Sequence, residues 1–220
     1  MIEQIEIRDL LPCVFAGMED TDRIRSSQIW EEPSFVFHRG CRLCVHAESG
    51  NGKSSLLHFI YGSRKDYKGS ILFDGTDISA LSIAQWCEVR TKGIALLPQD
   101  MALFPELTVG QNIDLKNNMT HHKTSEQIKD LLARLGIDDK HDVAAGKLSI
   151  GQMQRVALVR AVCQPFDFIF LDEPVSHLDA RNNKIVADII TEEADNQGAG
   201  IISTSVGNHL MLDNAKFVSL

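Results

Sequence analysis

The run Ala47-Glu-Ser-Gly-Asn-Gly-Lys-Ser54 constrains this chain more than any other stretch. It has the form of a phosphate-binding loop: Ala or Gly, four residues, Gly-Lys, then Ser or Thr. The helix-like run Ser55-Leu-Leu-His-Phe-Ile60 comes directly after it. Gly50 and Gly52 let the backbone curl so that successive N–H groups point inward at phosphate oxygens. Glu48, Ser49 and Asn51 fill out that curl, and Ser55 continues into a helix whose positive end faces the same anion. Lys53 is placed to reach β- and γ-phosphates, and Ser54 to offer its hydroxyl to Mg²⁺. The first position is Ala47, whose methyl group fits there if the backbone is extended.

A second motif lies downstream. Phe168-Ile-Phe-Leu-Asp-Glu-Pro174 is an apolar run that ends in two carboxylates. A buried parallel strand reads as a continuous apolar run, and ligands bind beyond the carboxyl ends of such strands. Asp172 is therefore expected to hold Mg²⁺ through water. Glu173 is expected to orient and polarise an attacking water as general base.

Between the two lies Leu148-Ser-Ile-Gly-Gln152, running into Met-Gln-Arg-Val-Ala-Leu-Val-Arg-Ala161. With these residues the chain resembles the ATP-binding cassette family, whose signature is Leu-Ser-Gly-Gly-Gln followed by such a helix. Ile150 replaces the first glycine of the pair. Leu96-Leu-Pro-Gln99 is similar to the family's glutamine loop, and Ser176-His-Leu-Asp179 to its D-loop. The resemblance runs from Ile5 to Leu220.

The resemblance implies ATP as substrate, Mg²⁺ as cofactor and a head-to-tail dimer. In it, Ser149, Gly151 and Gln152 of one copy meet the γ-phosphate held by the other, with Asp179 at the seam. It implies that Gln99 links Mg²⁺ to a docking surface near Phe104-Pro-Glu-Leu-Thr108, where an integral membrane permease sits. It also implies an aromatic side chain stacked on the adenine. Phe15 is the first candidate and Trp30 the second, and a core role is open for either. One departure concerns the histidine that the family carries after the last buried strand. Here the run is Ile202-Ser-Thr-Ser-Val206, with Ser205 at that place and His209 expected on a following helix. A serine is shorter than a histidine and carries no positive charge. Losing such a contact commonly costs about 10²–10³ in rate, so slow hydrolysis is expected.

Composition agrees with one globular unit. A chain of 220 residues, 44% hydrophobic and 24% charged, can bury one sizeable core. A net charge of -8 argues against a broad nucleic-acid-binding face. No uninterrupted apolar run is long enough to span a bilayer. The charged, alternating start Met-Ile-Glu-Gln-Ile-Glu-Ile-Arg predicts a strand rather than a signal peptide. The expected location is the cytoplasm, peripheral on the inner face of the membrane through the permease. Five cysteines fit a reducing compartment. Cys41 and Cys44 have metal-like spacing, but they lie on the strand feeding the phosphate loop, where residues three apart face opposite sides. His121 and His122 are expected as a solvated loop pair.

The predicted fold is α/β. A mainly parallel P-loop core with an antiparallel β region occupies residues 1–98 and 148–220, and a helical insertion spans about 99–147. Strands are predicted over Ile2–Arg8, Ser34–His38, Arg42–His46, Ile71–Phe73, Gly93–Leu97 and Gly200–Thr204, the last being the final buried strand. Helices are predicted over Lys53–Ile60, Ile83–Glu88 and Ala180–Glu193. Thr124-Ser-Glu-Gln127 predicts a capping box before a helix whose stripe of Ile128, Leu131, Leu132 and Leu135 packs inward and which Gly136 ends. No C-terminal regulatory domain is expected. The resulting expectation is the ATP-hydrolysing subunit of a membrane transporter, similar in size and layout to cassettes of lipoprotein-releasing, macrolide-export or cell-division systems. The alternative is an ATP-dependent switch on a membrane partner with weak hydrolysis. DNA-repair or ribosome-associated cassettes are disfavoured, because no coiled-coil insertion or second cassette is present.

Overall fold

The computed structural model describes residues 1–18 and 21–220, with the side chain of Arg23 left out. Two sheets organise it. The first is antiparallel and has four strands: β1 (Gln4–Pro12), β2 (Ser34–His38), β4 (Tyr67–Phe73) and β5 (Thr76–Asp77), in the order β2-β1-β4-β5. The second is parallel and has five: β3 (Arg42–His46), β6 (Ile94–Leu97), β7 (Phe168–Asp172), β8 (Gly200–Ser205) and β9 (Lys216–Ser219), in the order β6-β7-β8-β3-β9.

The apolar runs explain the parallel sheet. β7 and β8 are buried at every residue, as strands covered on both faces must be. Their side chains alternate between two cores. Phe168, Phe170 and Ile202 join the core toward the antiparallel sheet, whereas Ile169, Leu171 and Ile201 join the core toward the later helices. The two faces are covered by α2 (Lys53–Ile60) on one side, and by α6 (Ile150–Val162) and α7 (Ala180–Asp195) on the other.

The other α-helices of the described residues are α1 (Asp22–Arg25) and α3 (Ile83–Glu88), then α4 (Val109–Thr120) and α5 (Ser125–Arg134) within residues 99–147. The capping box at α5 is present. The Thr124 hydroxyl accepts from Gln127 N–H at 3.2 Å, and Thr124 N–H donates to the Gln127 side chain at 2.9 Å. Ile128, Leu131, Leu132 and Leu135 are all buried. Gly136, at φ 63°, stands just past the last turn.

Four expectations need correction or completion. β1 runs on to Pro12, beyond Arg8, because its second half pairs with the start of β4 after a register shift. β8 is the last buried strand as expected, but the sheet does not end with it: a mostly exposed strand, β9, adds beside β3, pairing Leu43 with Lys216. Only Val218 of β9 is buried, so its sequence carries no strand-like alternation of note. His209 lies on no helix; it sits exposed in the loop between β8 and β9, its ring edge-on to Phe217. Finally, His121 is exposed but His122 is half-buried. Its Nε2 has no hydrogen-bond partner among the described residues, and burial lowers its pKa.

An ion pair ties the helical segment to the core. Lys123 Nζ lies 2.6–2.7 Å from both carboxylate oxygens of Glu193 on α7, with about a tenth of each side chain exposed. Removing one partner strands the other charge in a dry site, whereas removing both does not. Glu193→Leu is expected to cost about 3 kcal/mol in chemical denaturation, and the Lys123→Met/Glu193→Leu double variant to recover most of that loss. A double variant no better than the single would show that the pair is not the contact that matters.

Candidate functional site

Every strand of the parallel sheet delivers its carboxyl end to one edge, where open α/β sheets place their ligands. The loop after β3 is residues 47–52. Gly52 has φ 92° and Gly50 φ 84°, the left-handed region that glycine enters without strain. Gly52 has a second reason to lack a side chain: a Cβ there would stand 3.2 Å from the Trp30 ring and 3.4 Å from the Phe15 ring. The two aromatics thus back the loop from below. The Trp30 indole N–H also donates to the Asn51 carbonyl at 3.2 Å.

A cleft of about 200 Å³ lies over this loop. Ser49, Gly50, Gly52, Lys53, Ser54 and Ser55 form one wall, and Gln99, Glu173, Val14 and Phe15 the remainder. Ala47 is buried, and Glu48 is exposed on the outside of the curl. Lys53 is buried, and its ammonium donates to the Ala47 and Glu48 carbonyls at 3.0 Å each. It also stands 3.9 Å from the Glu173 carboxylate. Burial lowers its pKa, against the opposing pull of Glu173 and Asp172. The ammonium is held inside the loop by the Ala47 and Glu48 carbonyls. The Ser55 hydroxyl accepts from Arg64 at 2.8 Å, so it is committed away from the cleft.

Asp172 ends β7, almost fully buried. Its Oδ1 accepts from the Thr204 hydroxyl at 2.6 Å, and the same Thr204 oxygen accepts from Glu173 N–H at 3.2 Å. Thr204 therefore orients both acidic residues at once. Glu173 adopts φ 50°, an unusual state for a glutamate. Gln99 comes after β6, and since Leu97 pairs with Leu171, Gln99 and Glu173 lie two residues past neighbouring strand positions. Ser205 behaves differently. It is the last residue of β8, 1% exposed, and its hydroxyl lies 3.7 Å from the Cys44 sulfur. It faces into the sheet and is not part of the cleft wall.

Ser149, Gly151, Gln152 and Asp179 form a second group, none of which lines that cleft. Ser149 caps α6, its hydroxyl accepting from Gln152 N–H at 3.3 Å, while the Gln152 side chain accepts from Ser149 N–H at 2.9 Å. A Cβ on Gly151 would stand 3.2 Å from the His177 carbonyl, a tight contact, so the signature packs closely on the D-loop here. Asp179 caps α7; its carboxylate accepts from Asn182 N–H at 2.8 Å, which holds its pKa low. Ile150 is half exposed beside them.

Three residues that sequence reasoning passed over hold these groups in place. Thr204 is one. Gln154 is the second: buried in α6, it donates to the Glu173 carbonyl at 3.0 Å and accepts from His177 N–H at 3.3 Å. Arg160, near the far end of α6, is the third. It donates to the Met101 and Ala102 carbonyls at 2.6 and 2.7 Å, fixing a turn in which both residues have positive φ. The latter two sit inside the quoted signature helix, and Thr204 beside Ser205; their partners are remote in sequence.

Comparison with known proteins agrees with this geometry. Residues 30–176 match the family model described as ABC transporter. The chain is 30% identical over 167 residues to the ABC transporter ATP-binding protein YtrE of Bacillus subtilis (strain 168), covering 74% of this chain and 72% of that protein. It is 31% identical over 175 residues to the lipoprotein-releasing system ATP-binding protein LolD of Buchnera aphidicola subsp. Schizaphis graminum (strain Sg), covering 78% and 76%. Among solved structures, the dimeric cassette MJ0796 superposes with a TM-score of 0.75 at 18% identity, over 98% of this chain and 94% of that one. The phosphate loop, the paired carboxylates and the capped signature helix thus stand in a chain that belongs to the ABC transporter family.

Proposed function

We propose that this protein is the ATP-hydrolysing subunit of an ABC transporter, held at the inner, cytoplasmic face of the membrane by a permease. The convergence of Lys53, Glu173 and Gln99 on one cleft over the phosphate loop carries the reading. Backbone N–H groups of residues 48–54 and the start of α2 hold the phosphates. Lys53 moves from the Ala47 and Glu48 carbonyls onto phosphate oxygens. Glu173, angled by its positive φ, accepts a proton from water aimed at the γ-phosphate.

The residues fit Mg²⁺. Ser54, Gln99 and Asp172 supply only oxygen donors, and among the described residues no cluster of three or more His, Cys, Asp or Glu forms a closed metal cage. That suits an ion held by a few protein oxygens together with substrate phosphates. When bound, Mg²⁺ neutralises charge on those phosphates. Thr204 fixes the Asp172 carboxylate at the end of β7.

Ser149, Gly151 and Asp179 lie off the cleft of their own chain, which supports a head-to-tail pair in which each copy completes the other's site. α6 then links chemistry to movement. Its first turn carries the signature, Gln154 grips the Glu173 carbonyl, and Arg160 holds the turn after Gln99. Next to that turn is a groove of about 370 Å³ rimmed by Phe104, Leu115 and Met119, each roughly half exposed. Asn112, fully buried, pins its edge by bonding Phe104 N–H and the carbonyls of Phe104, Leu107 and Thr108. This rim is the proposed seat for the permease, an apolar patch on an otherwise charged surface.

Ser205 favours slow turnover and supports the second reading, a switch in which ATP binding does the work and hydrolysis only resets it. Its hydroxyl is turned toward Cys44 and away from the cleft.

Steady-state hydrolysis with Mg²⁺ tests both readings. Wild-type turnover is expected above that of Glu173→Gln; equality, with ATP still bound, would leave the switch reading. Thr204→Val is expected to lower kcat about 10- to 100-fold with nucleotide affinity retained. Full activity in that variant would mean Asp172 and Glu173 are oriented without it.

A further inference from the structure

We propose that this protein grips its nucleotide by the triphosphate and leaves the base unread, so that ATP, GTP and CTP bind with similar affinity. The inference rests on the nucleotide-binding reading above. Its basis is the part of the cleft left over once the phosphate loop and the catalytic end are assigned. Ser49 to Ser54 serve phosphates, and Gln99 and Glu173 stand at the strand ends where the γ-phosphate lies. Among the described residues, only Val14 and Phe15, from the short turn after β1, are left to meet ribose and base.

Phe15 reaches the cleft wall, but neither aromatic candidate leaves a whole ring face open. Phe15 is 4% exposed and Trp30 6%. Both rings pack behind Gly52, within 3.4 Å of where its Cβ would stand, and the Trp30 N–H is committed to the Asn51 carbonyl. They act as the floor of the phosphate loop. A base can stack only on a ring that leaves a face open, and turning either ring outward would hollow out that floor.

Val14 holds the open position instead, at 69% exposure. Its two methyl groups give dispersion contact to any base equally, with no π face and no hydrogen bond. Discrimination between bases needs polar groups that are left unpaired by the wrong one. Among the described residues of the cleft wall, none at this end carries a side-chain donor or acceptor. Backbone donors of the turn are largely spent as well. Cys13 N–H bonds the Asp66 carbonyl, Ala16 N–H that of Cys13, and Met18 N–H that of Phe15.

The test uses the full chain as the Glu173→Gln variant, which holds nucleotide without consuming it. Radiolabelled ATP is titrated with Mg²⁺, then displaced by ATP, GTP, CTP and inorganic tripolyphosphate. Expected are dissociation constants for the three nucleotides within about threefold, and tripolyphosphate within about tenfold of ATP. Adding Val14→Tyr supplies the missing ring. Base–ring stacking contributes about 5- to 150-fold, so ATP and GTP are expected to tighten at least fivefold while tripolyphosphate stays unchanged, which also shows that the phosphate loop is intact. ATP bound more than 30-fold tighter than GTP and CTP would overturn the inference alone. So would a Val14→Tyr variant with unaltered ATP affinity and intact tripolyphosphate binding. Failure to bind any of the four ligands would overturn the nucleotide-binding reading and this inference with it.

Discussion

A parallel ladder cannot be closed by tight hairpins, and each strand must return over a face of the sheet before the next begins. Everything at the site depends on that constraint. β3, β6, β7 and β8 all point their carboxyl ends at one edge, and the phosphate loop, Gln99, Asp172-Glu173 and Ser205 stand at or just past those ends. The chemistry is scattered over more than 150 residues of sequence because the connections are long, and it is gathered because the strands are parallel. The bond from Thr204 to Asp172, across one strand spacing, is the contact that turns this proximity into geometry.

The second organising element is α6. A single helix begins at the signature cap, passes Gln154 beneath the Glu173 carbonyl, and carries Arg160 to the turn after Gln99. A rigid rod with partners at both ends transmits a displacement from one to the other without any change in its own hydrogen bonds. Through α6 the proposed catalytic edge, the signature and the apolar groove at Phe104 are in contact with one helix. Gly151 has its place in that set of contacts too, since the His177 carbonyl approaches it closely. Ile150 next to it is unconstrained from within its own chain, being half exposed.

The aromatics ahead of the loop show how a residue type can mislead when its direction is unknown. Phe15 and Trp30 are both near the nucleotide loop, as a search for a base-stacking ring requires. Both are turned inward, because Gly52 leaves a hollow beneath the loop that must be filled if the glycine backbone is to hold its left-handed turn. Burial of both rings there contributes hydrophobic stabilisation to the loop's support.

What the sequence determined by itself was whatever is written in local pattern. The glycines of residues 50 and 52 dictate a curled loop, the unbroken apolar runs at β7 and β8 dictate buried parallel strands, and Thr124 with Gln127 dictates a helix start. Each of these signals is carried by residues a few positions apart. What the tertiary structure decided needed partners far away. β9 is a strand only because β3 offers an unpaired edge, Ser205 faces Cys44 only because β8 lies against β3, and Gln154 and Arg160 matter only through backbone carbonyls on other segments. A backbone carbonyl has no residue type, so no reading of side chains along the chain can show which one a glutamine or an arginine will find.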